Sequence, residues 1–143
     1  MKTISLLQPW ATLIAIGAKQ VETRSWATKY RGPLAIHASK GFSKELQKLV
    51  WTEPFMTALL GPGNKLAFGA DFNLPLGAII VTCNLTNVIP ITPYFIKGQS
   101  KQELAFGDYT FPGRFAWILD DVKQLPKPIP AKGSLGLWEF PGL

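Results

Sequence analysis

The sequence predicts an α+β fold: residues 1–143 form a single domain, a small β-barrel with helices packed beside it. Three observations carry this reading. Apolar runs of strand length recur at short spacing, helical periodicity is confined to the first half, and the regular strand–helix alternation of a doubly wound sheet is absent. Neither a GxGxxG nor a GxxxxGK[ST] loop occurs, which disfavours dinucleotide-binding architecture. A chain of 143 residues buries on the order of 70% of its unfolded surface, so a core forms without covalent staples.

Lys2–Leu7 reads as an opening strand. A helix starts at Gln8-Pro9-Trp10, where proline's missing N–H costs nothing, and Gly17 is its stop. Trp10, Leu13 and Ile14 fall on one face of it. Gln20–Trp26 alternates as an extended segment, with Val21, Thr23 and Ser25 on one side and Gln20, Glu22, Arg24 and Trp26 on the other. A basic turn at Thr28–Gly32 leads into a strand at Pro33–Ala38. Ser43 or Gly41 can cap a second helix running through Trp51. Phe55–Leu60 makes a short helix ended by Gly61-Pro62-Gly63, and residues 61–73 read as a loop.

Leu76–Leu85 is the strongest strand and is apolar on both faces at Ala78–Val81, as a central strand is. Pro90 and Pro93 break the stretch after it. Gly98–Gly113 is a polar connection, long enough to carry function. Phe115–Val122 is a second apolar strand. Leu125–Pro130, with a proline at every second position, reads as rigid extended chain. Gly136–Phe140 closes the fold.

Composition excludes several classes. With 47% hydrophobic and 17% charged residues the chain is not disordered. No apolar run reaches the roughly 18 residues of a membrane span, and no signal-type cleavage site follows Thr3–Ile16. The lone Cys83 excludes an intrachain disulfide and fits a reducing cytoplasm. One cysteine and one histidine argue against structural zinc, and no metal or cofactor is expected. The net charge of +6 is uneven: residues 1–50 hold eight Lys and Arg against two carboxylates, and residues 51–143 hold seven against seven. Such asymmetry points to an anionic partner, nucleic acid being the usual one.

Residues 17–26, GAKQVETRSW, concentrate the polar chemistry. Glu22 and Arg24 are same-face neighbours on a strand, either satisfying one another or lining a pocket for something anionic and flat. Arg24 and Trp26 can stack on a base, Lys19 and Arg24 can neutralise phosphate, and Glu22 can accept hydrogen bonds from an exocyclic amine or a 2′-hydroxyl.

Gly17-x-Lys19-x-x-Glu22-x-Arg24 resembles the GxKxxExR signature of the ASCH domain, a barrel similar to the PUA RNA-binding domain. Ser5-Leu6-Leu7-Gln8-Pro9-Trp10-Ala11, Ile36–Lys40, Gly107–Tyr109, Gly113–Trp117 and Gly136–Trp138 are also similar to that family, so the resemblance spans nearly the whole chain. It implies a PUA-like barrel with a cleft floored by Lys19, Glu22 and Arg24. It also implies RNA binding, RNA-processing or coactivator roles, and ribonuclease activity in some members. A shorter branch hydrolyses N4-acylcytidines with a threonine nucleophile where Glu22 stands here. Thr23 faces the other side of the strand, which disfavours that activity.

Three readings result: a module binding single-stranded RNA or a nucleotide, a metal-independent ribonuclease, and a modified-nucleoside hydrolase. For binding, the candidates are Gln8 at a base edge, then Lys19, Glu22, Arg24, Trp26, Lys40 and Arg114. For cleavage, Lys19, Glu22, His37 and Lys40 are the available proton carriers. His37, which faces opposite to Ile36, is either catalytic or a hydrogen-bonded structural residue. Arg114 either reaches phosphate or pairs with Asp108. Asp120-Asp121 point to opposite sides and end a strand in solvent. Trp117 reads as core, Trp51 as part of the apolar stripe of its helix, and Trp138 as core or stacking platform.

Overall fold

The computed structural model describes residues 1–61 and 73–143, so the expected loop at 61–73 lies almost wholly outside the described residues. The chain runs β1 (Lys2–Leu6), α1 (Trp10–Ala15), β2 (Val21–Arg24), β3 (Gly32–Ala38), α2 (Lys44–Leu49), α3 (Phe55–Leu60), β4 (Ala78–Pro90), α4 (Pro93–Lys97), α5 (Lys101–Ala105), β5 (Phe115–Pro130) and β6 (Trp138–Glu139). The strands form one six-stranded sheet in the order β2-β5-β4-β3-β1-β6. Among the described residues only β1 and β3 pair in parallel, which sets Ser5 beside His37. Among the described residues no ladder joins the outer strands β2 and β6, so the sheet is open along its hydrogen bonds where a closed barrel is expected.

The two central strands are longer than their sequence patterns, and irregularities explain why. β5 continues past the expected end at Val122 because the ladder shifts register between Thr82 and Asn84, leaving Asp121 and Val122 opposite Cys83. Asp121 takes φ 51°, a left-handed conformation that Asp tolerates better than most residues, and such a bulge bends a strand without ending it. Asp120 and Asp121 are exposed as expected, at a bulge rather than a terminus. Further on, residues 125–128 face Ile80 alone before pairing resumes at Ile129. Pro126 and Pro128 therefore fall where no ladder N–H is required, and the expected rigid segment becomes the end of β5.

The main core joins the sheet to one face of α1: Ile4, Leu34, Ile36, Val81, Leu85 and Trp117 pack with Ala11, Ile14 and Ala15. The other face of α1 packs through Leu13 against Val50, Phe55, Leu59 and Phe106. Trp10 meets Phe55 edge-on at 6.3 Å. Helix α2 is capped by Ser43, whose hydroxyl accepts from Leu46 N at 3.2 Å, and it ends at Leu49, leaving Trp51 half exposed rather than in the core. Helices also occur in the second half, contrary to expectation. Thr92 and Ser100 cap α4 and α5, which at five residues each are too short for periodicity to reveal. No helix among the described residues is long and apolar enough to cross a membrane.

Candidate functional site

The segment from Gly17 to Arg24 shows why its residue types recur at that spacing. Gly17, at φ 80°, closes α1: its N–H donates to Ile14 O at 3.0 Å and Ala18 N–H donates to Leu13 O at 2.9 Å. That pattern is the Schellman end of a helix, which glycine adopts without strain. The chain then turns inward, and the side chain of Lys19 is wholly buried. Its ammonium donates to Val21 O and lies 3.5 Å from Glu22 Oε1. Burial pulls the ammonium below its ordinary pKa range, while Glu22 and Glu103 oppose that shift. Glu22 and Arg24 share a face of β2, with Arg24 Nη1 3.3 Å from Glu22 Oε2. The guanidinium sits 5.4 Å from the ring of Trp26, which is itself packed edge-on against Trp117 at 4.8 Å.

A cavity of about 480 Å³ opens beside this face. Glu22, Thr23 and Arg24 of β2, together with Ser5, Trp10, Ser39 and the chain after α5 with Asp108 and Arg114, line it. Arg114 is held on three acceptors: its Nε donates to Asp108 O at 2.9 Å and lies 3.5 Å from Asp108 Oδ2, and Nη2 donates to Thr23 O at 3.1 Å. Arg114 thus makes the ion pair with Asp108 and also lines the cavity. The Thr110 hydroxyl and N–H on Asp108, with Arg114 beside it, hold that carboxyl below its usual range. Thr23 Oγ1 accepts from Asp108 N–H at 3.0 Å, which ties the loop to β2 and occupies the hydroxyl as an acceptor.

A second, larger cavity of about 960 Å³ adjoins the first. His37, Lys40, Leu76, Lys132, Gly133 and Leu135 line it, and Ser5 and Ser39 belong to both linings. His37 is buried, with Nε2 2.7 Å from Ala131 O and Nδ1 3.0 Å from Ser5 Oγ. A carbonyl only accepts, so Nε2 carries a proton, and in that tautomer Nδ1 is the acceptor for the Ser5 hydroxyl. Ser5 Oγ in turn accepts from Trp138 Nε1–H at 3.2 Å. Trp138 thus holds Ser5, and its ring meets His37 edge-on at 5.6 Å.

The structure separates the residues grouped by sequence. Glu22, Arg24 and Arg114 meet at the first cavity, and His37 and Lys40 at the second. Lys19 and Gln8 line neither. Gln8 is fully buried: Oε1 accepts from Thr12 N–H at 3.0 Å, and Nε2 donates to Thr12 Oγ1 at 2.7 Å and Pro75 O at 2.9 Å. Its amide caps α1 and has no edge left for a base. Trp26 lies behind Arg24. Glu103 escaped sequence reasoning, although Ser100-x-x-Glu103 has the spacing of a capping box. Its carboxylate accepts from Gln20 N–H at 2.9 Å and Val21 N–H at 2.6 Å, fixing the start of β2. Lys132 carried no sequence signal at all. Among the described residues no group of three or more His, Cys, Asp or Glu could hold a metal ion.

The family model of the ASCH domain matches residues 4–128. The chain belongs to the ASCH domain family. It is similar to Activating signal cointegrator 1 of Homo sapiens, with 27% identity over 139 residues, covering 96% of this chain and 22% of that protein. The Mus musculus protein of the same name is 28% identical over 137 residues, with the same coverage. The chain thus spans 22% of the length of these relatives. Among solved structures, ASCH from Zymomonas mobilis superposes with a TM-score of 0.58 at 16% identity, covering 99% of this chain and 87% of that one. A serine-to-alanine mutant of that Zymomonas mobilis protein gives 0.55 at 16% identity, covering 99% and 88%. These likenesses show the ASCH fold, and of the GxKxxExR segment of this ASCH domain Glu22 and Arg24 line the first cavity.

Proposed function

We propose that this ASCH domain binds single-stranded RNA or a nucleotide, holding a base and its ribose in the first cavity. The observation that carries the reading is the pair of guanidiniums, Arg24 and Arg114, both held at the edge of a hollow of about 480 Å³ that they line. That volume lies in the range of small-ligand sites. Carboxylates at Glu22 and Asp108 stand beside them to accept from base amines or a 2′-hydroxyl. Both arginines are held before any ligand arrives, which lowers the ordering cost of binding. Membership of the ASCH family and the basic first third of the chain support the same reading. Lys19 acts beneath the site by fixing Glu22 rather than by touching ligand. An anisotropy titration of labelled single-stranded RNA at low salt tests the proposal. Binding that weakens on Arg24→Ala and with added salt supports it, and no measurable affinity at low salt overturns it.

A second reading, metal-independent RNA cleavage, is favoured by one observation: Ser5, on the wall shared by both cavities, stands 3.0 Å from His37 Nδ1. A 2′-hydroxyl there can pass its proton through Ser5 to His37 as its oxygen attacks phosphorus. The 5′-oxygen then leaves, takes a proton from water, and a 2′,3′-cyclic phosphate remains. Cleavage of labelled RNA in EDTA, lost in Ser5→Ala and His37→Asn, tests it; no cleavage by the unaltered protein contradicts it. Hydrolysis of N4-acylcytidine has no such support, since Glu22 stands at the expected nucleophile position and Thr23 Oγ1 is engaged with Asp108.

A further inference from the structure

The two cavities differ in charge balance. In the first, Arg24 and Arg114 each lie within 3.5 Å of a carboxylate oxygen, so two cations face two anions. In the second, Lys40 and Lys132 line a wall that contains no acidic residue, and among the described residues neither makes an ion pair. Unneutralised charge therefore accumulates beside the site with the GxKxxExR motif, not inside it. We infer that the second cavity is the phosphate subsite for an RNA strand whose base occupies the first. The inference rests on the RNA reading above and deepens it, assigning the phosphate to Lys40 and Lys132.

Contiguity supports the assignment. Ser5 and Ser39 line both hollows, so a nucleoside in one has its phosphate leave across these two hydroxyls into the other. An ammonium is a compact charge with rotatable donors and binds phosphate oxygens without a demanding orientation. The segment that carries Lys132 is also held in place. His37 Nε2–H donates to Ala131 O at 2.7 Å on one side of Lys132. On the other side, Gly133 lies so close to the ring that an added Cβ would approach His37 Cε1 to 2.7 Å and Ser5 Oγ to 2.8 Å. His37 is thus a positioning residue that seats the Lys132 segment on the sheet. Leu135, 97% exposed, and Leu76 give the same cavity apolar surface on which the adjoining base can lie.

Calorimetric titration with a single-stranded oligonucleotide and with a free nucleoside, on wild type, Lys40→Gln/Lys132→Gln and Arg24→Ala, tests the inference. Both lysines are exposed, so the double variant keeps the wild-type melting temperature. We expect it to bind the oligonucleotide at least about tenfold more weakly and to lose about 1.4 from the log–log salt slope, at roughly 0.7 per phosphate contact. Its nucleoside affinity stays at the wild-type value, whereas Arg24→Ala weakens both ligands. Wild-type oligonucleotide affinity and salt slope in the double variant would overturn the phosphate assignment alone. If wild type binds neither ligand at low salt, the RNA reading itself falls, and the subsite with it.

Discussion

The Lys19 ammonium lies 3.5 Å from Oε1 of Glu22 with its side chain fully buried, while Glu22 turns its other oxygen to Arg24 at the cavity. One carboxylate therefore joins a buried cation to a cavity-lining one. Lysine and arginine of the same motif consequently fail in different ways when removed.

Replacing Lys19 with Met leaves Glu22 beside apolar surface and Val21 O without its donor. We expect a loss of about 3–5 kcal/mol in urea unfolding, as when one partner of a buried pair is removed. Arg24→Ala leaves Glu22 with Lys19, and for a partly exposed pair costs about 1 kcal/mol or less. On the proposed RNA reading it should nevertheless weaken RNA binding in the anisotropy titration. Equal stability losses in the two variants would contradict this division.

Tyr109 stacks on Phe95 at 6.3 Å, and its buried hydroxyl has no hydrogen-bond partner among the described residues. Burial, then the Glu103 and Glu22 carboxylates, push the phenol above its ordinary value of 10.0. The unfolded phenol releases its proton near 10.0 while the folded one keeps it, so the stability it confers is full below pH 10.0 and is lost as pH rises beyond it. Tyr109→Phe should be neutral or stabilising by up to about 1 kcal/mol at pH 7. Its advantage over wild type should grow above pH 10, read from parallel denaturant titrations.

Much of this arrangement was legible in the sequence. Alternation along residues 20–26 sets Glu22 and Arg24 side by side, as their 3.3 Å pair shows, although β2 ends at Arg24 and Trp26 lies beyond it; Gly17 reads correctly as the helix stop. The depth of Lys19 was not legible, because a lysine after a helix-ending glycine reads as solvated unless the partners that seal it are known. Gln8 misled for a similar reason: a polar side chain beside a helix start suits a base edge and a cap equally. The ends of β4 and β5 were hidden by proline and by Asp121, since a bulge is a property of the pairing and not of one strand. His37 and Lys40 line the same cavity. Their separation from Glu22 depends on the parallel pairing of β1 with β3, which no local pattern encodes.

Cys83 is buried in the core, its thiol facing Leu34 O at 3.5 Å and pushed up to about 12 by burial. The thiolate is the reactive form, so at pH 8 the native protein should resist a thiol-specific reagent. Labelling should follow global unfolding across a urea series; rapid labelling without denaturant would contradict the packing around β3 and β4.

Gly133→Ala places a methyl against His37 and Ser5, both fixed by hydrogen bonds. We expect a destabilisation of about 1–3 kcal/mol, as for overpacking, with weaker oligonucleotide binding as the Lys132 segment lifts. Ala substitution at exposed Gly41, which has open space around its Cα, provides the control and should leave binding unchanged.

The claim on which the functional account stands is that a nucleic-acid base enters between β2 and the chain after α5. Backbone amide shifts recorded while a short single-stranded RNA is added to the labelled protein test it directly. The account predicts the largest changes at residues 22–24, 106–108 and 114, with a second group at 39–40 and 131–135. Saturable shifts confined to another surface, such as the exposed Tyr94 of α4, with those segments unmoved, would contradict it.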